Sequence, residues 1–263
     1  MTDTIETATF DLSACLDGAL FLDFDGTLVE LAATPDAVVV APGLVQVLAA
    51  LSERLQGRLA IVSGRPIDQI DAMLAPLKLP VAGVHGAERR DAQGQLHIAS
   101  APRLDTALLI LRTLVMEHDG LLLEEKRGAL ALHYRLAPGL RPDCERAMEA
   151  ACAATPGTVL LHGKMVLELK PGATNKGTAL AAFLQEEPFK GRLPVFVGDD
   201  TTDEAGIAYA QQLGGVGVKI GVGPSAAQQR LASPQALHVQ LAQAATQLPT
   251  YQHIPEPSQG DRP

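Results

Sequence analysis

Short, uninterrupted apolar runs alternate with helical patterns over the first third of the chain. The runs at 19–22 (ALFL), 59–62 (LAIV) and 81–84 (VAGV), and a fourth at 194–197 (PVFV), each end in a polar or glycine-rich turn. Runs of that length without polar alternation are expected of parallel strands buried on both faces. Between the first two, Leu44, Val47, Leu48, Leu51 and Leu55 recur at helical spacing behind Pro42, which predicts a β-α-β unit. Further helix starts are expected after the second strand, where Ser63 or Gly64 precedes Pro66, and after the fourth, in "GDDTTDEAGIAYA".

The middle of the chain has a different texture. It predicts a helix over 104–118, strands "LLLEE" and "ALALHYR" joined through 126–128, a helix over 141–154, and a hairpin "TVLLHGKMVLEL" turning near Gly163. Tight turns between strands imply an antiparallel sheet with helices on one face. The predicted fold class is therefore α/β: a parallel-sheet core formed by 1–100 and 170–263, interrupted by a smaller α+β domain at 101–169. The Pro-rich end, 249–263, reads as a loose tail.

Composition sharpens this picture. With 263 residues, 47% of them apolar and only 3% aromatic, the chain suits closely packed helices and strands. A net charge of -9 argues against nucleic acid or an anionic membrane as partner, so any anionic substrate must be met by local positive charge. Cys15, Cys144 and Cys152 form no CxxC pair, which suggests neither a zinc site nor a disulfide framework, and the last two are expected to pack in one helix. The acidic N-terminus lacks a basic stretch before an apolar core, and no apolar run reaches membrane-spanning length. A cytoplasmic protein is the expectation.

Four segments carry chemistry. In "FLDFDGT", Asp23 and Asp25 follow a buried strand and, with one residue between them, point to the same side before Gly26 turns the chain. Taken alone, the pattern reads equally well as a turn with a helix-capping Asp23. "VFVGDDTTDE" crowds Asp199, Asp200, Asp203 and Glu204 into six residues; helix capping accounts for Asp203 and Glu204 but poorly for Asp199. Carboxylates from two neighbouring strand ends would make an oxygen-only site suited to Mg2+. Lys176 in "TNKGT" opposes the dipole of its helix unless an anion is near. Ser63, in "SGR", is either a helix cap or a phosphate ligand.

Taken in order, these segments resemble the four motifs of the haloacid dehalogenase superfamily of phosphotransferases. The resemblance implies a Rossmann-like core in which Asp23 attacks phosphorus and Asp25 serves as general acid and then base. Ser63 and Lys176 would hold the phosphoryl oxygens. Mg2+ would be bound by Asp23, the Asp25 main-chain carbonyl and Asp199, supported by Asp200 and Asp203.

Three further segments, "GVHGAE", "EEK" running on to "HYR", and "GKMVLELKP" before "NKG", are similar to the trehalose-6-phosphate phosphatase family. That similarity implies hydrolysis of trehalose 6-phosphate. Sugar contacts would come from Arg65, His85, Glu88, Glu125, Lys126, Lys164 and Glu168. Both cap acids are Glu here, so which of them reads the glucose stays open, while His133 and Arg135 taken alone read as a solvated hairpin face. Alternatives are phosphatases of sucrose 6-phosphate or mannosyl-3-phosphoglycerate, and a catalytically silent sugar-phosphate-binding module. A trehalose-6-phosphate synthase is a candidate partner.

Overall fold

The structure is a computed structural model that describes residues 12, 17–32, 34–100 and 102–247. Cys15 and the predicted tail from 249 lie outside the described residues. Strand β1 (Ala19–Leu22) runs between β10 (Pro194–Gly198) and β2 (Leu59–Val62), parallel to both. Its side chains explain the unbroken apolar run. Leu20 and Leu22 join a cluster with α1 (Leu44–Arg54) and α7 (Pro234–Gln247) on one face, whereas Ala19 and Phe21 join α5 (Lys176–Phe183) and α6 (Glu204–Gln212) on the other. Phe21, Phe183 and Phe189 form a trio with ring centroids 5.2–5.9 Å apart, concentrating half of the chain's six phenylalanines beneath the site.

The core sheet is larger than the apolar runs predict. It has eight strands, β12-β11-β10-β1-β2-β3-β4-β5, and adds β11 (Val216–Ile220), β12 (Gln229–Leu231), β4 (Glu88–Arg90) and β5 (Leu96–Ile98) to the expected four. β4 and β5 extend β3 (Val81–Gly83) in antiparallel fashion. Their sequences conceal them because β4 reads Glu-Arg-Arg. Its arginines are tolerated there because Arg89 pairs with Glu186 and Arg90 with Asp71, both through two bonds.

The inserted segment forms its own sheet, β6-β7-β9-β8, all antiparallel. It comprises β6 (Leu122–Lys126), β7 (Ala129–His133), β8 (Thr158–Gly163) and β9 (Val166–Pro171). Helices α3 (Asp105–Glu117) and α4 (Arg141–Ala153) cover one face, where Leu111, Leu130, Leu132, Cys144, Met148, Leu167 and Leu169 make a separate core. Cys144 is buried and Cys152 partly so, as expected for two positions on one helix. The other face of this cap turns toward the C-terminal ends of β1, β2 and β10, where open α/β sheets bind ligands. No helix among the described residues is long and apolar enough to cross a membrane.

Candidate active site

The cleft between cap and core is lined by Asp23, Asp25, Ser63, Arg65, His85, Lys126, Lys164, Glu168, Lys176, Asp199, Asp200 and Asp203. At its floor, Lys176 opens α5 behind Asn175, whose side chain forms a capping box with Thr178. Lys176 Nζ reaches 2.5 Å from Asp23 Oδ1 and 2.6 Å from Asp203 Oδ1. Two carboxylates thus supply the anions that a lysine at a helix N-terminus needs. Burial opposes the charge on Lys176, yet Asp203 and Asp23 outweigh it and raise its pKa. The balance at Asp23 goes the other way: burial first, then repulsion by Asp203, pushes its pKa well up against the pull of Lys176.

Asp203 is fully committed to this arrangement. Its Oδ2 accepts from the backbone N–H groups of Asp199 and Asp200, at 3.0 and 2.9 Å, while Oδ1 takes Lys176. Asp199 faces the cleft instead, with Lys164 Nζ at 2.6 Å from Oδ2 and its main-chain carbonyl held by the buried Lys219. Burial raises the Asp199 pKa even against the Lys164 bond. Gly26, at φ +80°, is required here, since a Cβ would lie 2.3 Å from Asp199 Oδ2.

Asp25 shares the cleft with Asp23, as their spacing predicts, but has a different partner. Arg65 clamps it bidentately, with Nε at 2.6 Å from Oδ2 and Nη2 at 2.8 Å from Oδ1. Ser63 does not cap the next helix. Helix α2 (Ile67–Leu74) begins after an extended Pro66, and its first N–H is met by Glu88 Oε1 at 2.6 Å. The Ser63 hydroxyl accepts from the Arg65 N–H at 3.1 Å and lines the cleft.

From the cap, β6 sends alternate residues inward. Glu124 and Lys126 line the cleft, while Glu125 points away and pairs with Arg112 at 2.5 Å on the outer side. Glu124 is therefore the cap acid that faces the site, which corrects the expectation for Glu125. Pairing register puts Glu124, Ala131, Glu168 and Leu161 in one row across the four strands, with the small Ala131 between the two acids. Glu168 is bonded to Lys126 and lies 2.5 Å from His85 Nε2. Although burial alone would raise the Glu168 pKa, Lys126 and His85 hold it far below the ordinary carboxylate range. Lys126 keeps a raised pKa because Glu168 and Glu124 overcome its burial.

His85 reaches this position through strained backbone. Val84 and His85 both adopt left-handed conformations, at φ 48° and 51°, and the His85 ring packs where a side chain on Gly64 would otherwise stand. Glu88 is the second correction, since it caps α2 behind the site and is not among the cleft-lining residues. His133 and Arg135, which read from sequence as a solvated hairpin face, line the cleft, and so does Gln69. His133 Nε2 lies 3.1 Å from Glu124 Oε2, and Gln69 bonds both Arg65 and Glu124. Period-two alternation from Ala131 would have flagged His133, whereas nothing local marks Gln69.

A family model for trehalose-phosphatase matches residues 21–237. The chain belongs to the trehalose-phosphatase family. It is 47% identical over 216 residues to a probable trehalose-phosphate phosphatase of Sinorhizobium fredii, covering 80% of each chain. With the trehalose-6-phosphate phosphatase of Escherichia coli K12 it shares 45% identity over 229 residues, or 86% of this chain and 85% of the relative. Among solved structures, the C-terminal domain of a C. albicans trehalose-6-phosphate phosphatase superposes with a TM-score of 0.78 at 20% identity, covering 92% of this chain and 99% of that one.

This trehalose-phosphatase family member has a donor set that fits a hard dication. Carboxylate oxygens of Asp23, Asp199 and Asp203 lie within 4.8 Å of one another, with no sulfur or imidazole among them. Lys164 already places a cation on Asp199. Because both Asp203 oxygens are engaged by Lys176 and backbone N–H groups, Asp23 and Asp199 are the carboxylates better placed to accept a metal.

Proposed function

We propose that this chain hydrolyses trehalose 6-phosphate to trehalose and phosphate with Mg2+ as cofactor. The observation that carries this reading is the convergence, in one cleft, of Asp23, Asp25, Ser63 and Lys176 with the polar row of the cap. Asp23 attacks phosphorus, the bond to the sugar oxygen breaks, and Asp25 gives that oxygen its proton. Asp25 then takes a proton from water, which attacks the aspartyl-phosphate and releases phosphate with Asp23 restored. Ser63 and Lys176 hold the phosphoryl oxygens. Asp23, the Asp25 carbonyl and Asp199, with Asp200 and Asp203 in support, would hold Mg2+, which when bound would supply positive charge that offsets repulsion between nucleophile and phosphoryl group.

In this reading, 101–169 serves as the specificity domain. Glu124, Lys126, Glu168 and His85 form a mutually paired set of acceptors and donors for sugar hydroxyls, and a sugar lacking those hydroxyls would forgo the bonds to them. Lys164 acts at the rim, beside Asp199.

The test is phosphate release from trehalose 6-phosphate, glucose 6-phosphate, sucrose 6-phosphate and mannosyl-3-phosphoglycerate, with Mg2+ and with chelator. A strong Mg2+-dependent preference for the first, abolished in Asp23→Asn, is expected. Preferential turnover of another ester would discard the substrate while keeping the chemistry, and no turnover of any ester would indicate a silent binding module.

A further inference from the structure

A hydrogen-bonded chain joins the acid at the end of β1 to the sugar-facing carboxylate of the cap. Arg65 takes both oxygens of Asp25, at 2.6 and 2.8 Å. While it does so, one lone pair on each oxygen is taken by the guanidinium, and a bridging ester oxygen or a water must compete with that charge-assisted pair for the carboxylate. Arg65 Nη1 in turn donates to Gln69 Oε1 at 3.4 Å, and Gln69 Nε2 donates to Glu124 Oε1 at 3.3 Å. Gln69 sits in the first turn of α2 and spans from core to cap with one carboxamide.

The links differ in strength. The Arg65–Asp25 pair is short, bidentate and charge-assisted, whereas both Gln69 bonds lie at the long end of the hydrogen-bond range. A hydroxyl donating to Glu124 would therefore displace the Gln69 amide first. We propose that Gln69 is a positioning residue that couples filling of the sugar pocket to release of Asp25. With Glu124 occupied, the freed carboxamide and the sugar hydroxyls draw guanidinium donors away from Asp25, which then serves the bridging oxygen. An ester too short to reach Glu124 leaves Arg65 in place and turns over slowly even when bound, so discrimination appears in kcat rather than in KM alone. This inference rests on Asp25 being the general acid and base.

The experiment is a double-mutant cycle of Gln69→Leu and Glu124→Gln, with kcat and KM measured separately for trehalose 6-phosphate and p-nitrophenyl phosphate. Gln69→Leu is expected to lower kcat on trehalose 6-phosphate about ten-fold with KM changed less than about two-fold, and to cost less on p-nitrophenyl phosphate. Combined with Glu124→Gln, it is expected to add little further loss. Losses that multiply in the double variant, fall equally on both esters or appear wholly in KM would overturn the coupling while leaving the proposed function intact. Absence of trehalose 6-phosphate turnover by the unaltered protein would overturn that function and the coupling with it. If Gln69→Leu melts early, the near-isosteric Gln69→Met carries the same cycle.

Discussion

Lys164, at the tip of the cap hairpin, puts its ammonium 2.6 Å from Oδ2 of Asp199 at the end of a core strand. Burial opposes its charge, but the Asp199 carboxylate more than compensates and raises the lysine pKa. The contact bridges cap and core at the carboxylate proposed to bind the metal, so ammonium and dication compete there. Lys164→Met is expected to tighten Mg2+ binding to the substrate-free protein about three-fold or more, measured by calorimetry. Unchanged or weaker binding would show that Lys164 does not hold the metal position.

Asp23→Asn separates chemistry from stability. The folded-state pKa of Asp23 is raised chiefly by burial, so the ionised carboxylate subtracts stability at neutral pH, and that loss is recovered as pH falls through the raised pKa. Without added metal, the variant is expected to melt no lower than the parent protein at pH 7, and any advantage should fade on acidification. Its phosphate release should fall by at least about 1000-fold, because the proposed nucleophile is gone. A large loss of melting temperature would show that the Asp23–Lys176 pair stabilises the fold more than its burial costs.

Glu168 predicts the opposite pH dependence. Lys126 and His85 depress its pKa against the effect of burial, so its stabilisation is present above the unfolded value of about 4.3 and is lost as pH falls through the folded value. Glu168→Gln is expected to cost about 3–5 kcal/mol at pH 7 in urea unfolding, because it takes the carboxylate from the buried Lys126 ammonium. The gap should narrow below about pH 4. A gap constant with pH would mean that shape rather than charge sets the cost.

Glu124 and Glu125 are neighbours in sequence and opposites in the fold. Glu124→Gln is expected to lower kcat/KM for trehalose 6-phosphate at least about ten-fold, and Glu125→Gln to change it less than about two-fold. Steady-state kinetics of the two variants decide the matter, and the reverse ranking would mean that β6 presents its other face to the sugar.

The sequence by itself determined what depends on local order. Apolar runs at 19–22, 59–62, 81–84 and 194–197 revealed the central strands because burial on both faces removes polar alternation. Acids directly after those strands, and a lysine in a helix first turn, marked the floor of the cleft, since each residue type is unfavourable there without a partner. Tertiary structure alone decided the partners. Glu88 lies in a charged strand, and its carboxylate turns back to cap α2; Arg65, expected as a sugar contact, lines the cleft and also holds Asp25. The inward choice of Glu124 over Glu125 follows from β6 register, which one residue of slip would reverse. Gln69 joins the site through neighbours 4 and 55 residues away, a relation that no local pattern carries because only packing of cap on core creates it.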